Sequence, residues 1–230
     1  MPVYETRRLI RWGRSSTLLL SIPRAWVKRY GLKEKDIVTI SETSDGKLLI
    51  YPAEYKEEPL EEVAEIDLSK YKDVDEVELI IKSKYIQGFD KIILRKEGVQ
   101  FGRLLEVIEG IVNELFGLEV EEVKQDKIVI RDIISIRDTD VSFLLRDMAR
   151  NVKEGMKLIR VFLEAKNLES LEVFEEVYNK VRGYGLRIRR LLMKSLKNPI
   201  YMSNLGMEYP DAMMKAFYIR DLENIMDACA

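Results

Sequence analysis

An α+β chain of more than one part is predicted, and three observations predict it. Short segments patterned as strands and helices alternate as far as residue 135, whereas from Asp138 onward the apolar spacing is helical only. An acidic stretch holding a proline, "AEYKEEPLEE", separates a basic N-terminal block from the remainder of the chain. The boundaries expected from these shifts are residues 1–53, an α+β spacer over residues 62–135, and a three-helix bundle over residues 138–230.

In the first block, the apolar pair at Leu9 and Ile10 is flanked by arginines, and "TLLLSIP" is an apolar run closed by Pro23. Pro23 suits the opening of a short helix, "PRAWVKRYG", which Gly31 ends. Trp26 lies on the apolar side of that helix and is expected in the core. "DIVTISE" and "KLLIYP" alternate as strands around the hairpin turn "SDG". The spacer reads strand, helix, strand, helix, strand, strand, with Gly88 and Gly117 stopping its two helices.

The bundle begins with "DTDVSFLLRDMARNVKEGMKLIRVFLEA", which sets Val141, Leu144, Leu145, Met148, Val152, Met156 and Ile159 on one stripe, with Asp138 and Asp140 as caps. A second helix opens at Ser170 and runs toward Ser195, with Gly183 and Gly185 as weak points. Pro210 opens a third, which meets no stop signal before residue 230. Met148, Met156, Met193 and Met213 are read as gap-filling core.

Composition excludes much. The chain has no histidine and one cysteine, Cys229. Imidazole general bases, histidine-containing zinc sites and an internal disulfide are therefore absent. No apolar run is long enough for a bilayer, and the start lacks the pattern of a signal peptide, so a cytoplasmic protein is expected. Neither "GLEVEE" nor "GVQFGR" has the spacing of a phosphate-cradling loop. With no catalytic constellation in view, the chain is read as a non-enzyme.

The net charge of −2 hides a block structure. Residues 1–35 carry nine basic and two acidic side chains, and residues 36–70 carry three basic and ten acidic ones. Screening confines each charge to about 10 Å, so the blocks act separately. Basic residues fall on a short strand, at the turn "GRSS" and at a helix start. Backbone phosphates reward that distribution, because each neutralised phosphate releases a counterion. Ser15, Ser16 and Thr17 add neutral donors.

The stretch "STLLLSIPRAWVKRYGLKEKDIVTI" resembles the AbrB/SpoVT/MazE swapped-hairpin domain, carried by Ile22, Pro23, Gly31, Leu32, Lys33, Asp36 and Val38. The resemblance implies a homodimer whose interleaved hairpins close a β-barrel. It also implies DNA binding through Arg8, Arg11, Arg14 and Arg24, with Lys28 and Arg29 beside them.

Near the other end, "DLENIMD" resembles the helix motif of the PhoU family through Asp221, Leu222, Glu223, Ile225 and Asp227. That resemblance implies an oxygen-rich metal cluster, of which Glu223 and Asp227 remain. Asn179, Asn224 and Ala228 stand where further partners are usual. The expectation is no resident cofactor and at most weak metal binding at Glu223 and Asp227.

Together the parts resemble archaeal PhoU-type phosphate uptake regulators, with one three-helix repeat where the family usually has two. The function implied is a DNA-binding transcriptional regulator of phosphate homeostasis. The alternative is a PhoU-like adaptor whose helices bind a transporter or kinase and whose N-terminal domain only dimerises. An antitoxin is the third reading.

Overall fold

The computed structural model of the chain describes residues 5–13, 16–42, 46–52, 61–96, 102–134, 139–198, 201–202 and 205–230. Its compact units are Met1–Leu60 and Glu61–Ala230. The linker residues 53–60, Arg14, Ser15, Asp138 and Pro199 lie outside the described residues.

The first unit holds two hairpins and a short helix. Strands β1 (Ile10–Arg11) and β2 (Leu18–Leu19) pair antiparallel, Ile10 opposite Leu19. Helix α1 (Arg24–Arg29) follows, and β3 (Val38–Glu42) then pairs antiparallel with β4 (Leu48–Pro52). The hairpins form two separate two-stranded sheets. Among the described residues of this one chain no closed barrel forms, because two-stranded ribbons leave both edges unpaired.

The second unit begins with a four-stranded sheet in the order β5-β6-β8-β7. Strands β5 (Val63–Asp67) and β6 (Lys91–Arg95) are parallel and joined through α2 (Val74–Ile86). Helix α3 (Arg103–Glu114) leads to the hairpin of β7 (Leu118–Val123) and β8 (Lys127–Asp132), which docks antiparallel on β6. Period-two alternation decides the faces: Ile66, Ile92, Leu94, Ile128 and Ile130 point into a core shared with Ile81, Tyr85, Ile108 and Leu115. The opposite side of the sheet is a charge lattice. Lys91 lies 3.6 Å from Glu61 and 3.3 Å from Glu121, and Arg131 lies 3.1 and 2.9 Å from the same two carboxylates. Acidic outer positions thus neutralise basic central ones.

Three helices complete the unit: α4 (Val141–Ala165), α5 (Glu169–Lys197) and α6 (Tyr209–Asp227). Asp140 caps α4, accepting from the backbone amides of Ser142 and Phe143 at 2.8 and 3.0 Å. Glu208 and Asp211 form a reciprocal capping box at α6, with Pro210 in its first turn. Their core contains Met148, Val152, Phe174, Val181, Ile188, Leu191, Ile219 and Met226.

Two sequence expectations fail here. Met156, Met193 and Met213 are exposed, and only Met148 of the four methionines is core. The buried track of α4 instead passes through Gly155, where a Cβ would stand 2.7 Å from Met226 Cε. Nor do Gly183 and Gly185 interrupt α5, which is continuous through both. They are contact notches: a Cβ at Gly183 would meet the Phe116 ring at 3.1 Å, and one at Gly185 would meet Glu223 Oε1 at 2.2 Å.

The sheet layer and the helices are joined by cations of α5. Arg187, Arg190 and Lys194 recur at i, i+3 and i+7, on one helix face, and all are buried. Arg187 Nη1 donates to both carboxylate oxygens of Asp132, at 3.1 and 3.0 Å. Arg190 Nε donates to Asp132 Oδ2 at 2.7 Å, and its Nη1 donates to the Tyr85 carbonyl at 2.7 Å. Lys194 pairs with Asp90.

The helix-stopping glycines make room for this seam. Gly88 and Gly117 have φ of 94° and 91°, and a Cβ would stand 2.5 Å from Lys194 Cγ at the first and 2.9 Å from Asp132 Oδ1 at the second. The Tyr85 hydroxyl donates to the Phe116 carbonyl at 2.7 Å, and burial pushes its pKa up to about 12. It therefore stays a donor at physiological pH.

Removing one partner of a buried pair leaves an uncompensated charge, at a cost of about 3–5 kcal/mol. Asp132→Ala strands two guanidinium groups and is expected to destabilise the chain by about that amount. Denaturant unfolding of the full-length variant measures it, and a loss below about 1 kcal/mol would contradict the role given to this seam.

Candidate nucleic-acid interface

The N-terminal unit is built around a helix with firm ends. Pro23 presets the entry to α1, and the Val27 amide donates to the Pro23 carbonyl at 3.1 Å. At the exit Gly31 takes φ 63°, and the Leu32 amide reaches back to the Val27 carbonyl at 3.0 Å. The next turn is held by Asp36, whose Oδ2 accepts from the Lys33 amide at 2.7 Å. Across β1 and β2, the Trp12 amide donates to the Thr17 carbonyl at 3.0 Å, and Gly13 supplies φ 61° in the turn.

On this frame Arg8 and Arg11 stand at the first strand, Arg24 opens α1, and Lys28 and Arg29 occupy its last turn. All five are exposed. Among the described residues no carboxylate lies within ion-pair distance of them, whereas Arg7 pairs with Glu5. Guanidinium groups on a strand, beside a turn and at a helix start, with no ion-pair partner among the described residues, can each take a phosphate oxygen. Thr17 belongs to the turn at the same end of the hairpin, and Ser16 is exposed there.

Among the described residues, the apolar side chains of this unit form no buried core of their own. Leu9, Ile10, Trp12, Leu18, Ile37, Ile40 and Leu48 are exposed by 55–72%. Pro52 is the only buried residue among the described residues of this unit. Trp26, expected in the core, is half-buried against Tyr30, with ring centroids 5.0 Å apart. So much apolar surface on a unit of this size is the mark of an interaction surface.

The carboxylates read as metal candidates lie in the second unit. Glu223 is 7% exposed and paired with Arg189, whose Nη1 donates to Oε1 at 2.7 Å. Asp227 accepts from the Tyr178 hydroxyl at 2.8 Å, and Arg182 Nη1 stands 3.7 Å away. Its hydrogen bond holds the Tyr178 phenol above its usual pKa. Arginine and tyrosine thus occupy both carboxylates, and among the described residues no three acidic or sulfur ligands cluster. Glu223 and Asn179 border a cleft of about 460 Å3 that is also lined by Lys82, Lys180, Arg182 and Arg189. Beside these four cations the wall carries three carboxylates, those of Glu114, Glu176 and Glu223.

Among the described residues no helix is long and apolar enough to cross a membrane. A family model described as antidote-toxin recognition MazE, bacterial antitoxin, matches residues 11–58. The N-terminal unit is therefore similar to MazE/AbrB-type domains, a type consistent with a DNA-binding regulator or an antitoxin. No curated protein and no solved structure matches the chain.

Gly185→Ala drives a methyl group into the Glu223 carboxylate, which must shift together with the Arg189 guanidinium it pairs with. A destabilisation of about 1–3 kcal/mol is expected. Thermal unfolding beside wild type checks it, and an unchanged midpoint would show that the α5–α6 contact is looser than the geometry requires.

Proposed function

We propose that the chain is a DNA-binding transcriptional regulator of phosphate uptake or homeostasis, acting as a cytoplasmic, non-enzymatic homodimer. One observation carries the DNA reading. A MazE/AbrB-like domain presents Arg8, Arg11, Arg24, Lys28 and Arg29 in the open with no acid among the described residues to neutralise them. Arg14 belongs to the same set by its place in the sequence, between Arg11 and Arg24. The exposed apolar residues of the same unit support dimerisation, in which the partner's strands supply the missing layer and close the barrel. The phosphate link rests on the likeness of "DLENIMD" and its helical setting to PhoU-type, archaeal regulators. The reading includes no resident cofactor, since Glu223 and Asp227 are engaged by protein donors.

A second reading, a signalling adaptor, is favoured by α6. Its outward arc carries Met213, Met214, Phe217, Tyr218 and Ile225, exposed by 38–61%. Such a face suits a protein partner at the helical part.

Two experiments test the proposal. Replacing Arg8, Arg11, Arg14 and Arg24 by alanine abolishes DNA binding while the dimer stays folded, and the salt slope falls by about 0.9 for each phosphate no longer neutralised. Unchanged affinity and slope would remove the DNA reading and favour the adaptor. Residues 1–53 sediment as a folded dimer, because so short a chain with so little buried apolar surface rarely folds alone. A folded monomer would refute the shared barrel.

A further inference from the structure

Helix α4 carries its cations in a pattern that its packing does not require. Arg146, Arg150, Lys153, Lys157 and Arg160 follow one another at intervals of four, three, four and three residues. At 100° per residue these five fall within an arc of about 80°, along about 21 Å of helix. The buried track of α4, through Val141, Met148, Val152 and Gly155, lies on the other side. All five cations are exposed, with side chains of Arg146, Arg150 and Arg160 66%, 74% and 76% accessible.

The acids near the stripe stand to one flank or at its ends. Asp147 and Glu154 project about 80–100° from its centre line. Asp140 precedes the stripe, and Glu164 follows its last cation. Each reaches a neighbouring cation: Arg146 to Asp140 at 3.7 Å, and Arg150 to Asp147, Lys157 to Glu154 and Arg160 to Glu164, all at 2.8 Å. Exposed pairs of this kind contribute little to stability, and of the four acids Asp147 is the one whose side chain is largely buried, 15% accessible. They hold the side chains extended along the helix and are readily exchanged for a denser anion.

We propose that this face of α4 is a second contact surface for the phosphate backbone of duplex DNA, one that adds affinity without reading sequence. The proposal rests on the DNA-binding reading of the N-terminal unit and extends it. A duplex presents one charge about every 1.7 Å of its axis, so 21 Å of it carries about a dozen phosphates around its circumference, and those on one side meet the stripe. An acidic protein partner would need a row of carboxylates at matching intervals. Three of the five cations are arginine, whose planar fork bonds phosphate oxygens bidentately. Covalent attachment to the N-terminal unit makes the second contact intramolecular once the first has formed, which raises its effective concentration.

The test uses the full-length chain and a panel of mixed-sequence duplexes, with binding followed by anisotropy across a salt series. The variant Arg146→Gln/Arg150→Gln/Lys153→Gln/Lys157→Gln/Arg160→Gln is expected to bind every duplex at least tenfold more weakly. Its salt slope should be shallower by at least about 2, since each phosphate left unneutralised removes about 0.9. Any preference among sequences should survive, because phosphate contacts carry none. Circular dichroism checks that α4 still forms. If the fivefold variant misfolds, Lys153→Glu at the centre of the stripe serves instead and should weaken binding severalfold.

Wild-type slope and affinity in a folded variant would overturn the proposal, while loss of binding on replacing Arg8, Arg11, Arg14 and Arg24 would leave the N-terminal reading intact. Absence of DNA binding by the wild-type chain would overturn both. If the stripe variant lost affinity for polyglutamate and kept its affinity for DNA, an acidic protein partner would take the place of the duplex.

Discussion

The second unit depends on burying arginine where a core would ordinarily place leucine. Arg187, Arg190 and Lys194 sit between the sheet layer and the helices, and Asp132 is shared by the first two. A buried seam of this kind contributes less net stability than an apolar one would, because desolvation offsets most of the attraction. Its value is in register. An apolar face of α5 could slide by a turn along the sheet layer, whereas Arg187 must meet Asp132, the Phe116 carbonyl and the Ile134 carbonyl together. Gly88 and Gly117 complete the arrangement by combining a left-handed backbone with the absence of a Cβ where α5 approaches.

The first unit inverts this arrangement. Its helix ends and turns are well specified by Pro23, Gly31 and Asp36, yet many of its described apolar side chains, Leu9, Ile10, Trp12 and Ile37 among them, are exposed. Local hydrogen bonding fixes the shape, and burial must come from outside the chain segment. That division suits a domain whose arginines serve a ligand and whose apolar faces serve a second copy. The contrast between the units is also one of charge. In the second, most cations named here have a carboxylate within reach, while at Arg8, Arg11, Arg24, Lys28 and Arg29 none of the described residues supplies one.

Much of this is legible in the residues. Turn and cap signals are local, so Pro23, Gly31, Gly88, Gly117, Asp140 and Pro210 mark their elements directly. The order of strands and helices between residues 61 and 132 comes from a change of period that needs no tertiary knowledge. What escapes the sequence is tertiary. A glycine within a helix reads as a weakness until its neighbour is known, and only Phe116 and Glu223 show why Gly183 and Gly185 are there. Methionine gives no sign of which side it faces, so Met156 and Met213 read as core although both are exposed. The cations of α5 have a signal in their i, i+3, i+7 spacing, but burial is what turns that spacing into a seam. The charge lattice of the open sheet face joins Glu61 to Arg131, residues that only the strand order brings together. The pairing of Glu223 with Arg189 and of Asp227 with Tyr178 escapes the sequence too, because these partners are distant along the chain.

The central claim is that the chain recognises DNA through the arginines of its first unit, as a symmetric pair. The most direct measurement is to incubate the purified full-length protein with fragmented genomic DNA at physiological salt, and to recover and sequence what it retains. The account predicts enrichment of a recurrent site with two-fold symmetry, because a homodimer presents two copies of one surface. Recovery that mirrors the input, or no recovery at all, would contradict it.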